Sequence, residues 1–525
     1  MLRWPDLIVM ILFFGAFIGI GVYYAWKNKS SEDYFLAGRN LPGWLVGFSV
    51  MATIVSAMTF LALPGFAYAE DWRYIPWNVG YLLALIPAVI LFMPLFRRTR
   101  VESAYEYLER RFGLWARLYA AALFILWLVC RMSIILFAVS LPIQTMIGFD
   151  LPSIILVFGL VATIYTVAGG LEAVIWTDLL QTVAMFVGAI ICLPILVAKL
   201  PGGFTQILTR AYADGKMSMG GTSLVLDEKT MWVMMILSIF TWLHWGCQDQ
   251  TMVQRYCAPR SDKEARKALY LGVALTIPTW TYFIFIGTAL YVFYKVNPDP
   301  QLEQMVQKPE QILPFFIVRH VPAGLAGLVI CGLVAAAMST LDSSINAVAS
   351  TLTGDFYRRL LVRHRDERHY LRVGRAISCL LGAIMIGGAL VVHYTSTQTL
   401  QDLQVLIQSI SGGGLLALTL LGMLTLRVDS RAAGIAVAVG AIIVLAWLAL
   451  DSAIGRAWFP KIVEEFPDKF WMHVFVNLFV FALGYGLSFC FQRRRGGDIA
   501  ELTVWAKSFP PSEKATQPSG ESLYP

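Results

Sequence analysis

Asp342 stands in Ala335-Ala-Ala-Met-Ser-Thr-Leu-Asp-Ser-Ser-Ile-Asn346, with hydroxyls at Ser339, Thr340, Ser343 and Ser344 around it. Hard monovalent and divalent cations take oxygen ligands, and this segment offers a carboxylate and four hydroxyls on adjacent helix faces. Small hydroxylated residues also serve close helix packing, but packing does not call for a carboxylate among them. Arg131 lies in Leu126-Trp-Leu-Val-Cys-Arg-Met-Ser-Ile-Ile135. A guanidinium holds a carboxylate through paired hydrogen bonds, giving both charge and orientation. Its two readings are an anion-binding group facing a cavity and a partner in an interhelix ion pair. Asp178, in Glu172-Ala-Val-Ile-Trp-Thr-Asp-Leu-Leu-Gln181, reads either as a buried functional carboxylate or as the cap of the helix that follows.

These charges carry weight because of their surroundings. The chain has 525 residues, 58% of them hydrophobic and 14% charged. Soluble domains run about 45–50% apolar and about 25% charged, so too few charges are present to coat a water-soluble protein of this length. The mean hydropathy is +0.65. A charge inside a membrane span is costly and marks function by default. The net charge of +7 sits in short clusters between apolar runs, which excludes a nucleic-acid-binding stripe. The seven cysteines are scattered, without metal or pairing spacing, and read as small buried hydrophobes. The run 7–26 lacks a small-residue cleavage site and reads as a retained span.

Apolar stretches long enough to cross a bilayer recur at 7–26, 44–68, 76–96, 118–147, 151–168, 179–199, 231–254, 270–294, 322–350, 376–394, 402–426, 432–450 and 470–491. Backbone polar groups in lipid are satisfied internally, so these are expected to be about thirteen transmembrane helices. Basic residues follow the first, third, seventh, ninth and last spans, including Lys27, Arg97, Arg98, Arg255, Arg260, Lys263, Arg358, Arg359 and Arg493. The positive-inside rule then places the N-terminus outside and the C-terminus in the cytoplasm of a cell-membrane protein. The tail 496–525 is polar and reads as disordered.

Two spans carry interruptions. The second holds Ala52-Thr-Ile-Val-Ser-Ala-Met-Thr59 and then Pro64-Gly65. The seventh ends in His244-Trp-Gly-Cys-Gln-Asp-Gln250. Broken helices at matching places in two halves point to an inverted-repeat transporter. With no P-loop pattern, coupling to an ion gradient is the expected energy source. The expected partners are a small anionic solute, sodium and the lipid bilayer, with no nucleic acid and no obligate protein partner.

The chain resembles the sodium:solute symporter family. The resemblance rests on Asp33-Tyr-Phe-Leu-Ala-Gly-Arg39, Ser103-Ala-Tyr-Glu-Tyr-Leu-Glu-Arg-Arg-Phe112, Gly169-Gly-Leu-Glu-Ala-Val-Ile-Trp-Thr-Asp178, Asp249-Gln-Thr-Met-Val-Gln-Arg-Tyr256 and Ser339-Thr-Leu-Asp-Ser-Ser-Ile-Asn346. Within the family it looks most like bacterial sialic acid transporters, then like animal monocarboxylate and vitamin carriers. The resemblance implies an all-α membrane protein with a five-plus-five inverted-repeat core. Its expected units are 1–43 (an extra helix and loop), 44–200 (first repeat), 201–229 (an outer loop), 230–427 (second repeat), 428–495 (two helices) and the tail.

The resemblance also implies sites. The main sodium site falls on Ala52, Val55, Ala336, Ser339 and Thr340, and a second on Asp178, Ser339, Thr340, Asp342 and Ser343. A substrate carboxylate falls on Arg131, with further substrate contacts on Ile54, Ser56, Thr59 and Asn78. Three positions depart from the family pattern. Ile54 stands for a threonine, Asn78 for a glutamine and Asp342 for a serine, the last adding a carboxylate that favours a cation or admits a proton. Other expectations are a neutral sugar, another monocarboxylate or a vitamin as cargo, or a membrane solute sensor. An enzyme is not expected, since no nucleophile and base pair lies in the spans.

Overall fold

The computed structural model describes residues 4–27, 30–223, 225–226, 228–306, 308–395, 412–452, 458, 469–491 and 497–506. Among these residues the secondary structure is helical, apart from one isolated bridge between Leu41 and Pro259. Eight helices are long and apolar enough to cross a membrane, or nine if one bent pair is a single span, among the described residues. The expected span 402–426 lies outside the described residues up to 411.

In chain order the helices are α1 (Trp4–Lys27), α2 (Ser31–Leu36), α3 (Gly43–Ile54), α4 (Ala57–Ala69), α5 (Ile75–Pro87), α6 (Met93–Thr99) and α7 (Ala104–Phe112). Then come α8 (Leu114–Ile147), α9 (Leu151–Ala198), α10 (Gly203–Ala213), α11 (Met231–Gln248), α12 (Gln250–Cys257) and α13 (Asp262–Val296). They are followed by α14 (Leu302–Met305), α15 (Ile312–His320), α16 (Leu325–Thr351) and α17 (Glu367–Thr395). The last are α18 (Leu415–Leu424), α19 (Ser430–Asp451), α20 (Met472–Leu487) and α21 (Gly497–Glu501).

α16 is the centre of the molecule. All but two of its residues are buried, which explains why small side chains and no charge other than Asp342 occupy its faces, in place of an amphipathic pattern. It runs against α9, α8, α1 and α17. Close approach to α9 needs small residues: a Cβ on Gly188 would meet Val329 Cα at 3.0 Å, and one on Gly332 would meet the Ala184 carbonyl oxygen at 2.8 Å. Asp6 of α1 caps the start of α16, its Oδ1 accepting from Gly324 N at 2.7 Å and Gly327 N at 2.8 Å.

α9 has 48 residues, about 72 Å at 1.5 Å per residue, against a hydrocarbon core of about 30 Å. Its backbone leaves helical geometry at Gly170 (φ 61°, ψ −161°). Only glycine takes this conformation readily, and a Cβ there would sit 2.5 Å from Tyr34 Cδ2. Tyr34 OH donates to the Val167 and Thr166 carbonyls at 3.0 and 3.4 Å, satisfying acceptors that the break frees. The Asp33–Arg39 segment and the Gly169-Gly170 pair are therefore one structural device.

Four expectations are corrected here. Asp178 does not open a helix: residues 171–178 are already helical, because the break comes at Gly170. Pro64-Gly65 does not interrupt the helix: α4 runs through it, and the break falls within the expected Ala52–Thr59 stretch, at Val55–Ser56, where α3 and α4 meet at 55°. Arg255 is not a loop charge: it is 1% exposed on α12, while Arg260, Lys263, Arg266 and Lys267 are exposed. The tail is folded at its start. Val504 N donates to Met423 O at 3.0 Å, Trp505 Nε1 to Leu424 O at 2.7 Å, and Arg98 Nη2 to Thr503 O at 2.8 Å. Residues 507–525 lie outside the described residues.

Candidate functional site

The site begins at the break between α3 and α4. A helix leaves its last carbonyls without intrahelical donors, and here Ser56 N turns instead to Thr59 Oγ1 at 3.4 Å. The Ala52 carbonyl is thereby free for a neighbour. Ser339 of α16 supplies it, its Oγ donating to Ala52 O at 2.9 Å and to Ala336 O at 3.2 Å. Thr340 Oγ1 also reaches Ala336 O, at 3.5 Å. The structure thus brings together Ala52, Ala336, Ser339 and Thr340, all oxygen donors. Val55 closes α3, its N–H on Met51 O at 2.8 Å. No hydrogen bond joins Val55 to α16 among the described residues.

The second break lies between α11 and α12. Asp249 leaves helical geometry (φ −71°, ψ 121°) and caps α12, its Oδ1 accepting from Thr251 N at 2.8 Å. Two glutamines anchor α12. Gln250 Oε1 accepts from Ala104 N at 3.0 Å, and Gln254 Nε2 donates to Phe35 O at 3.0 Å and to Asn346 Oδ1 at 2.9 Å. This anchoring holds Arg255 inside the protein. Its Nη2 donates to Asp178 Oδ2 at 3.2 Å and Ser343 Oγ at 2.8 Å, its Nε to Ser49 Oγ at 3.0 Å, and its Nη1 to Thr251 O at 2.9 Å. Ser49 Oγ also donates to Asp178 Oδ2 at 2.5 Å.

All five residues expected at a second sodium site hydrogen-bond to other groups of the chain in this arrangement. Asp178 and Ser343 are engaged by Arg255, and Ser339 and Thr340 by carbonyls of α3 and α16. Asp342 Oδ2 accepts from Tyr165 OH at 2.7 Å, and its Oδ1 is buried without a hydrogen-bond partner among the described residues. The guanidinium is a cation already on the chain, and it holds oxygens of Asp178 and Ser343.

A cavity of about 680 Å³ opens beside α4, within the range that small-molecule sites occupy. Thr59, Asn78, Trp77 and Trp280 line it, with Glu70, Lys308 and Glu310 at exposed positions. Asn78 Nδ2 donates to Thr281 Oγ1 at 3.3 Å. Lys216 holds the wall in place, its Nζ donating to the Tyr68, Ala69 and Glu70 carbonyls at 2.8, 3.0 and 2.8 Å at the C-terminal end of α4. Ser56 and Ile54, each 7% exposed, lie outside this lining, at the helix break and in the core respectively.

Arg131 does not line the cavity either. It lies on the α8 face that carries Ala138 and Pro142, two lining residues seven and eleven positions on. That places it about 10 Å along the helix from Ala138. Its guanidinium carbon is 5.9 Å from the Trp127 ring. It makes no ion pair or hydrogen bond among the described residues, and Asp249 is its electrostatic neighbour.

Arg255, Ser49 and Tyr165 were not singled out in the sequence. Arg255 adjoins a basic loop and resembles a cytoplasmic charge. Its signal is position: Arg255 precedes Tyr256-Cys257-Ala258, a stretch still buried.

Residues 34–440 match the profile of the sodium:solute symporter family. The chain is 33% identical over 442 residues to the sodium/sialic acid symporter SiaT of Proteus mirabilis, covering 83% of this chain and 88% of that protein. It is 32% identical over 445 residues to the sodium/sialic acid symporter NanT of Aliivibrio fischeri, covering 84% and 87%. A solved structure of a sodium-coupled sialic acid symporter, substrate-bound and outward-open, superposes with a TM-score of 0.84 at 29% identity, covering 94% of this chain and 99% of that one. A helical multi-pass architecture, paired helix breaks over an oxygen-rich centre and a match across most of its length together make this chain a member of the sodium:solute symporter family, a sodium-coupled transporter rather than an enzyme.

Proposed function

We propose that this chain carries a sialic acid or closely related sugar acid into the cell with sodium. The observation that carries this reading is Arg131, a guanidinium that makes no ion pair or hydrogen bond among the described residues, on the α8 face that also carries Ala138 and Pro142 of a cavity of small-molecule size. A carboxylate is the ligand that such a group selects. Thr59 and Asn78, with Ser56 and Ile54 at the neighbouring break, supply the surface against the sugar. Likeness to two sodium/sialic acid symporters supports the same substrate class.

Ala52, Val55, Ala336, Ser339 and Thr340 hold the main sodium ion. Ser339 and Thr340 join α16 to the broken α3, so an ion there stabilises one arrangement of the two. Only differential affinity between arrangements moves the equilibrium. Asp178, Asp342 and Ser343 hold a second cation together with Ser339 and Thr340. The chain divides into repeats 44–200 and 230–427, which rock against each other around the fixed site. The N-terminus faces out and the C-terminus faces the cytoplasm. Two sodium ions with one anion move a net charge of +1, and 100 mV contributes about 2.3 kcal/mol to that step.

Calorimetric binding of N-acetylneuraminate to the purified carrier tests this reading. Heat of binding in sodium chloride and none in choline chloride is expected. Equal binding in both salts removes sodium coupling, and no binding in either removes the substrate.

A further inference from the structure

Three charged side chains meet where α3, α9, α12 and α16 pass one another. Asp178, Asp342 and Arg255 are each at most 1% exposed. Their formal charges sum to one negative. Burying an uncompensated charge is costly unless a partner neutralises it, and in a membrane protein such a residue marks an ion pathway. Arg255 answers Asp178 through Nη2 at 3.2 Å. Asp342 is left with one oxygen on Tyr165 and the other buried and without a hydrogen-bond partner among the described residues. The cluster therefore has room for one more positive charge, at a place lined by oxygen atoms. Arg255 Nη2 also uses Ser343 Oγ, so the guanidinium and an incoming ion draw on the same two groups. Asp249 is an electrostatic neighbour of both Arg255 and Arg131 and offers Arg255 an alternative counter-charge.

We infer that Arg255 is a tethered counter-cation that competes with a transported monovalent cation for Asp178 and Ser343, and that the charge sum of Asp178, Asp342 and Arg255 sets how much sodium binds there. The inference rests on the sodium-coupled reading above and adds a specificity-determining residue to it. It converts to charge arithmetic. The natural cluster carries −1 and takes one cation. Asp342→Ser brings it to 0, Arg255→Gln to −2, and the two together return it to −1.

Equilibrium binding of radioactive sodium to the purified full-length carrier, with thermal melting in sodium against choline chloride, reads this out. Asp342→Ser is expected to lose one bound ion. Arg255→Gln is expected to lower the half-saturating sodium by about tenfold or more, the effect of removing a unit positive charge a few ångströms away at an effective dielectric of about 20. The double variant is expected to regain the natural ion count. A merely structural Arg255 predicts no such restoration. A folded Arg255→Gln with unchanged or weaker sodium binding overturns the inference, as does a double variant no better than Asp342→Ser. If Arg255→Gln does not fold, Asp342→Ser decides alone: a full ion count overturns the inference. Natural carrier that binds no sodium overturns the underlying reading as well, whereas sodium binding indifferent to these charges overturns this inference only.

Discussion

Arg255 Nη2 lies 3.2 Å from Asp178 Oδ2, and both side chains are closed to solvent. The pair joins α12, just beyond one helix break, to the half of α9 that follows Gly170. It also draws in Ser49 of α3 and Ser343 of α16. Four elements, α3, α9, α12 and α16, therefore meet on one guanidinium. Breaking such a pair by removing one partner leaves a buried charge, which typically costs about 3–5 kcal/mol. Asp178→Ala is expected to lower the melting temperature strongly in sodium-free buffer, and Asp178→Asn less so. Equal, unshifted melting of both variants would show that the pair does not hold these helices.

Arg131→Ala should abolish uptake of a carboxylate while leaving the melting temperature within a degree or two, because Arg131 makes no ion pair or hydrogen bond among the described residues. The check is initial-rate uptake beside a thermal melt. Near-natural uptake would remove the carboxylate role.

Ser339→Ala or Thr340→Ala should raise the sodium needed for half-maximal uptake. Each removes one oxygen from the α3–α16 junction. An unchanged sodium dependence in both variants would dissolve the main-site assignment.

Gly170→Ala should destabilise the protein by about 2 kcal/mol or more, from its positive φ alone. The Cβ contact with Tyr34 at 2.5 Å adds to this. Tyr34→Phe removes only the hydroxyl that caps Val167, at a cost of about 1 kcal/mol. Chemical denaturation of both variants orders the two, and a reversed order would mean that the break is not where α9 turns.

The connection between α6 and α8 gives an acid-side prediction. Burial pushes the Glu109 carboxyl up, but hydrogen bonds and charge from Arg359 and Arg117 outweigh it and hold it below its ordinary value of 4.5. A carboxylate lowered on folding contributes stability that is present above the unfolded value and lost as pH falls through the folded one. The natural protein should therefore lose a stability increment below about pH 4.5 that Glu109→Gln lacks. Parallel stability–pH curves for the two proteins would contradict this.

Much of the membrane architecture was legible because lipid forces apolar runs into helices, and Asp342 and Arg131 stood out as charges where none is tolerated without cause. The break was legible within Ala52–Thr59, whereas Pro64-Gly65, read as a further weak point, is not one, since α4 absorbs the proline and the polar exchange between Ser56 and Thr59 turns the chain upstream. Asp178 looked like a cap because Gly169-Gly170 upstream could be read as a loop, whereas it is a single-residue kink. Arg255 was hidden by its neighbours: beside Arg260 and Lys263 it counts as a cytoplasmic charge, and only the tertiary anchoring by Gln250 and Gln254 turns it inward. Convergence of oxygens from α3 and α16 is a property of packing that no local pattern carries.

The central claim is sodium-driven movement of a sugar acid across the membrane. Uptake of radiolabelled N-acetylneuraminate into proteoliposomes, with an inward sodium gradient or an equal potassium gradient, tests it directly. Accumulation with sodium alone, lost in Arg131→Ala, is the predicted result. Accumulation that is the same with potassium, or absent with sodium, contradicts it.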